Sequence, residues 1–442
     1  MVPTTSSRPA APTPAQARRG LVIGLFVSAL ARYRLLAVLY ASQFIPLGFF
    51  YYALTAVLRR RGVPLEQIGM LQLLALFWVV KFTWAPVLDR YGSRRLGHYR
   101  GWLLILQVLM VVTVLLLLPL DVGDDLALVF VLVGIIAFLS ATQDVATDAT
   151  AVKVLHPSER GLGNGIQLAS GYFGFIVGGG GILVIYDHLG WPAAVGLLAC
   201  ASAMPVPFLL SYREPQPVVD GTDGSQRRRS VSLSALANFF HQPGVARWLL
   251  IVLPLNYMGI ATAYKLITPM LVDIGWPLGQ IGAVVAFGGG AVAMASALSA
   301  GAVLNAIGRR TALLAFGVIA VTAIATLTAL IAGTATVPVV LGVVALVNIA
   351  YASVGTAIFT LSMDWSRRET AGTDYTVQTS FAVLCSDVAG AAGLSLAGYV
   401  GYTTVIAVSV TLALGGMAAA AWFLSEPPVL EQTDAPVPVP LA

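Results

Sequence analysis

The stretch Trp84-Ala85-Pro86-Val87-Leu88-Asp89-Arg90-Tyr91-Gly92-Ser93-Arg94-Arg95 interrupts an apolar run with an acid, a turn glycine and three arginines. It reads as a membrane helix running out into water. Far downstream, Gly301-Ala302-Val303-Leu304-Asn305-Ala306-Ile307-Gly308-Arg309-Arg310 repeats the same grammar: a polar residue, then glycine and basic residues at the same spacing. One design occurs twice in the chain.

Working outward, the composition fixes the class. Hydrophobic residues make up 58% of the 442 positions and charged residues 10%, with a mean hydropathy of +0.85. Soluble domains carry about 25% charged residues, so the chain is read as an all-α polytopic membrane protein. Twelve apolar spans follow from the pattern, at about 34–58, 69–88, 99–120, 126–148, 164–186, 191–211, 247–272, 279–304, 311–332, 337–363, 377–399 and 402–424. Residues 1–33 read as a disordered tail with an interfacial helix, 34–211 as a first six-helix bundle, 212–246 as a linker, 247–424 as a second bundle and 425–442 as a tail.

The net charge of +5 is explained by its distribution. The N-terminal region and the even-to-odd connections hold 20 of the 25 Lys and Arg residues, which places both termini in the cytoplasm and excludes a nucleic-acid patch. Cys200 and Cys385 lie within apolar runs, and the four histidines have no ligand spacing, so neither a disulfide framework, a metal site nor a cofactor is expected.

Gly62-Val63-Pro64-Leu65-Glu66-Gln67-Ile68-Gly69 recurs as Gly275-Trp276-Pro277-Leu278-Gly279-Gln280-Ile281-Gly282, and the same offset pairs Gln43 with Asn256 and Tyr51 with Tyr264. Two six-helix repeats in the same orientation follow, with a solute cavity expected between them at midplane. The glycine runs 178–181 and 288–290 lack the context of phosphate loops and are read as close-packing and bending sites.

The Asp-Arg-x-Gly-x-Arg-Arg loop, repeated weakly in the second half, resembles the signature loop of the major facilitator superfamily. Lys81-Phe82-Thr83-Trp84-Ala85-Pro86-Val87-Leu88-Asp89-Arg90, Arg100-Gly101-Trp102, Gln143-Asp144 with Asp148-Ala149, and Glu159-Arg160-Gly161 resemble the muropeptide permeases within it. Ala141 to Asp148, with Ser42 to Tyr52, look more like the branch that imports siderophores of the rhizobactin and pyochelin type. The resemblance implies a proton-driven importer of a siderophore, ranked first, or of an anhydromuropeptide. It implies a bacterial inner-membrane protein working as a monomer with protons, the bilayer and a small solute as partners.

The residues themselves sharpen this expectation. Asp144 and Asp148, at i and i+4, share a face of the fourth span, where unpaired carboxylates are costly, and Lys81 is the expected counter-ion. An alternative gives Asp148 a structural role with Arg160. Neighbouring carboxylates in low dielectric favour sharing a proton, which suits a proton carrier, so Asp144, Asp148, Asp364 and Asp387 are the coupling candidates. Gln43, Tyr51, Lys81, Gln143, Asn256, Tyr264 and Lys265 are candidates for the cavity wall, Lys265 either binding an anionic group or neutralising Asp387. Asp89, Arg90, Gly92, Arg94 and Arg95, with Asn305, Gly308, Arg309 and Arg310, form the expected gate, where Asp89 pairs with arginines or a helix N-terminus. No catalytic motif is present; a membrane aspartyl hydrolase using Asp148 and Asp364 is the competing class.

Overall fold

A computed structural model describes residues 14–93, 95–214, 233–333 and 335–424. Arg94, the arginines at 227–229 and both chain ends lie outside the described residues. Nine helices among those described are long and apolar enough to span a membrane. With one shorter apolar helix we number them α1 (Ala29–Arg60), α2 (Gln67–Thr83), α3 (His98–Leu115), α4 (Leu126–Val154), α5 (Pro157–Ser211), α6 (Val245–Asp273), α7 (Gly279–Ile307), α8 (Arg309–Ile331), α9 (Val337–Asp364) and α10 (Ala371–Phe423).

Two of these are double. α5 has 55 residues and α10 has 53, against about 20 for one crossing. Each breaks at a glycine with left-handed φ, Gly190 at 79° and Gly401 at 79°, a conformation that glycine adopts without a Cβ penalty. The architecture is all-helical and consistent with twelve crossings. The segment ahead of Arg32 is not a separate element, because a single helix runs Pro14–Gly48.

Each half has its own core. Phe49, Phe50, Met110, Ile136 and Leu198 belong to one buried cluster, and Trp248, Leu266, Phe316 and Val347 to the other. A third cluster joins the halves, packing Tyr40, Tyr99 and Val152 against Met363 and Tyr375. The first arm of α5 meets α7 where both backbones are bare: a Cβ on Gly161 would lie 2.6 Å from the Gly301 carbonyl.

The helices are not uniformly wound. α2 contains a 3₁₀ segment, Met70–Ala75, while the repeat-equivalent part of α7, Gly282–Gly289, is π-helical. A π segment also covers the glycine run in α5, Ile176–Gly181, where Gly178 packs on the α1 backbone at Ile45. Such segments commonly mark hinges and functional sites.

Candidate functional site

Lys81 lies in a 3₁₀ turn, Lys81–Thr83, and its side chain is only 3% exposed. Its Nζ pairs with Asp144 Oδ2 and lies 3.9 Å from Asp148 Oδ2. Gln43 from α1 donates to the other oxygen of Asp144. Asp148 Oδ1 accepts from Tyr40 Oη at 2.9 Å and from Gln167 Nε2 at 3.1 Å, whereas Asp148 Oδ2 accepts no hydrogen bond. Two carboxylates facing one ammonium leave room for one proton in the cluster.

A polar chain leads from this cluster into the other half. Gln167 Oε1 accepts from Tyr375 Oη at 3.0 Å, and Asn164 Oδ1 is a second acceptor for that hydroxyl at 2.8 Å. Tyr375 is fully buried and belongs to α10, so Asp148 reaches the opposite bundle through a single side chain, Gln167.

A second lysine–acid pair stands in the other bundle. Lys265 Nζ is 2.7 Å from Asp387 Oδ1, with side chains 33% and 49% exposed. Asp387 borders a cavity of about 290 Å³ between the bundles, lined also by Leu47, Tyr51, Ala75, Trp78 and Val383. Beside the pair, Tyr264 stacks on Tyr351 at 4.5 Å between centroids, and Tyr257 stacks on its other side at 5.5 Å. Tyr351 Oη lies 3.5 Å from Ser386 Oγ, next to Asp387 in sequence. A groove of about 470 Å³ near Arg60, Asp187 and Phe287 is separate from both lysines.

At the arginine-rich end the bundles are joined. Asp89 is buried, and both its oxygens are used across the interface: Oδ1 accepts from Gly372 N at 3.1 Å, and Oδ2 accepts from Thr373 N at 2.8 Å and Thr373 Oγ1 at 2.6 Å. Tyr99 Oη adds a bond from its own bundle at 2.5 Å. An acid misplaced at its own helix C-terminus is thereby matched to the N-terminus of α10. Asp364 makes the second join, held by Arg160 Nη1 at 3.0 Å and Arg309 Nε at 3.0 Å, while Arg309 also donates to Pro157 O.

These placements correct several expectations. Arg160 pairs with Asp364 rather than with Asp148. Asp364 is clasped by two arginines, one from each bundle, and so ties the interface. Asp148 and Asp364 have separate partners, with no hydrogen bond recorded between them, so they form no hydrolytic dyad.

Three cavity candidates are absorbed by packing. Asn256 is buried and donates to Val252 O and Gly416 O. Gln143 donates to Ser42 Oγ at 3.1 Å between α4 and α1. Gln43 serves Asp144 instead of the cavity wall.

In the loops, Arg90 lies over the Tyr91 ring, Gly92 packs on the His98 ring and Arg95 is exposed. Asn305 does not mirror Asp89: it faces Gly161 and accepts from Arg309 at 3.5 Å. Gly308, with φ 82°, joins α7 directly to α8, and Arg310 donates to Ala421 O. Sequence reading missed Tyr40, Gln167, Tyr375, Thr373 and Tyr351; the signal available for the first three was a phenol or amide set within a long apolar run.

The sequence matches the Major Facilitator Superfamily profile over residues 22–393. It is 31% identical over 292 residues to the anhydromuropeptide permease of Escherichia coli (strain K12), covering 65% of this chain and 58% of that protein. The alignment thus spans little more than half the length of that relative. An uncharacterized protein of Haemophilus influenzae is 28% identical over 374 residues, covering 82% of this chain and 87% of its own length. These comparisons give the siderophore branch no support.

Among solved structures, the human organic anion transporter MFSD10 superposes with a TM-score of 0.68 at 15% identity, covering 89% of this chain and 99% of that one. FucP in its outward conformation gives 0.65 at 18%, covering 90% and 100%. At such identities the likeness is one of fold. The chain belongs to the Major Facilitator Superfamily.

Proposed function

We propose that this chain is a proton-coupled permease importing an anhydromuropeptide across the bacterial inner membrane, with both termini and the arginine-rich end in the cytoplasm. The observation that carries the mechanism is the Lys81–Asp144–Asp148 cluster, buried in one bundle and joined through Gln167 to Tyr375 in the other. A secondary transporter needs its ion site to sense which side is open. Here the sensing element is an amide that donates to Asp148 and accepts from Tyr375.

A proton on Asp148 Oδ1, the oxygen that Gln167 faces, makes that oxygen a donor, and the Gln167 amide is then best satisfied by turning its own oxygen toward it. Tyr375 then keeps Asn164 Oδ1 as its acceptor in the first bundle, so the tie between the bundles is weakened and the proton site is uncoupled from α10. The described conformation has the cytoplasmic side shut by Asp89 and Asp364, which makes it the state that receives solute from outside. Likeness to the E. coli permease supports the choice of solute, reversing the order that the short motif around Asp144 favours.

Uptake of radiolabelled anhydromuropeptide into cells lacking their own importer tests the reading. Accumulation is expected, and a protonophore should collapse it. Uptake of ferri-siderophore without muropeptide would overturn the solute; accumulation indifferent to the protonophore would overturn the coupling.

A further inference from the structure

Lys265 and Asp387 are paired with each other, yet both stay partly exposed, and Asp387 borders the cavity between the bundles. Their position is specifically accommodated. A Cβ on Gly390 would lie 2.9 Å from Lys265 Cε and 3.1 Å from its Nζ, so the bare α10 backbone at Gly390 forms the channel along which the lysine reaches Asp387. Any larger residue there would displace the ammonium. Tyrosines from both bundles surround Asp387: Tyr51 lines the same cavity, Tyr257 lies within electrostatic reach of it, and Tyr351, stacked with Tyr257 and Tyr264, reaches the neighbouring Ser386.

We propose that the Lys265–Asp387 pair is the subsite for the solute's peptide, Lys265 taking a peptide carboxylate and Asp387 the peptide's ammonium, with the Tyr264–Tyr351 stack beside them facing the sugar. This rests on the muropeptide reading and assigns its charged half. An ion pair that meets a zwitterion can exchange partners without leaving either charge unpaired, so the desolvation penalty of breaking a pair is avoided. Partial exposure makes the exchange accessible from the cavity. The buried Lys81 cluster, in contrast, has no open path for a solute group. Flat sugar faces stack on tyrosine rings while their hydroxyls stay with polar neighbours, which suits rings placed next to the charged pair.

The test compares two labelled solutes in proteoliposomes holding the full chain: an anhydromuropeptide with free peptide carboxylates and the same compound with those carboxylates amidated. The wild-type protein is expected to show a KM about tenfold lower for the free acid, the loss of one charge-assisted contact. Lys265→Gln should bring the two KM values together. The combined Lys265→Asp and Asp387→Lys exchange keeps an ion pair for folding, and should likewise remove the preference.

A preference that persists in the exchange variant, or one absent from the wild type, overturns the subsite while leaving the muropeptide reading intact. Failure of the wild type to carry either compound overturns that reading and the subsite with it.

Discussion

The two bundles each place one lysine within the membrane, and they treat it in opposite ways. Lys81 is sealed, its side chain 3% exposed against Asp144 at 4% and Asp148 at 0%, with Gln43 donating to Asp144 Oδ1 and Tyr40 and Gln167 donating to Asp148 Oδ1. Lys265 has one acid and open space. A sealed cluster with one more acid than base can change only by gaining or losing a proton or by moving its walls. An exposed pair can exchange its partner for a solute. On the proposed reading, burial, more than residue type, separates ion coupling from solute contact.

The comparison is broken most directly at Lys81. Lys81→Met leaves Asp144 and Asp148 facing each other without a cation, and removing one member of a buried pair costs about 3–5 kcal/mol. Thermal unfolding of the purified protein should show a large drop, most of it recovered by adding Asp144→Asn. A drop no greater than that of Lys265→Met would erase the distinction between the two sites. Asp148→Asn sharpens the same point on function: gradient-driven accumulation should be lost while solute counterflow continues, as measured in proteoliposomes. Unchanged accumulation would remove Asp148 from coupling.

A second inequality lies between Asp89 and Asn305, which occupy equivalent places in the repeat. Asp89 accepts four hydrogen bonds, three from α10; Asn305 accepts one long bond from Arg309. Asp89→Ala should weaken closure by about 1.5–3 kcal/mol, the worth of bonds to a charged group, whereas Asn305→Ala should shift it by less than about 1 kcal/mol. Labelling of Thr370→Cys, in a background lacking Cys200 and Cys385, measures opening at this end. Equal labelling rates in the two variants would show that the loops are equivalent after all.

Much of this was legible in the sequence, for a physical reason. A charge within an apolar run must find a partner, so Lys81 with Asp144 and Asp148, and Lys265 with Asp387, could be paired from position alone. Asp89 likewise stood where its own helix dipole is unfavourable, which called for either arginines or a foreign N-terminus, and the N-terminus of α10 is what it meets. Contacts between the bundles were harder. Nothing local distinguishes Arg160 as the partner of Asp364, 204 residues away, from Arg160 as the partner of Asp148.

Amides were misread for a related reason. Gln43, Gln143 and Asn256 look like cavity groups in a linear pattern, but an amide is satisfied equally well by an acid, a hydroxyl or a backbone carbonyl. The 3₁₀ winding of α2 and the π winding of α7 begin where the repeat's shared Gln-Ile-Gly ends and the two sequences diverge, Met70–Ala75 against Gly282–Gly289.

Tyr375→Phe is a milder probe of the same contrast. It deletes a hydroxyl shared between Asn164 and Gln167 and should cost about 1 kcal/mol in stability. Its sharper effect is on coupling: the ratio of accumulation to counterflow should fall, since Asp148 loses its link to α10. A ratio equal to the wild type would make the link structural only.

Lys265→Met is the smallest of these changes, and its smallness is the point. The Lys265–Asp387 pair is partly solvated, and exposed ion pairs contribute about 0–1 kcal/mol. The methionine stem still fills the channel beside Gly390, so packing is largely retained. Unfolding temperature should therefore move little. A loss approaching that of Lys81→Met would mean that Asp387 depends on Lys265 for its place in the fold, and the exposed pair would have to be read as a second structural lock rather than a surface offered to the solute.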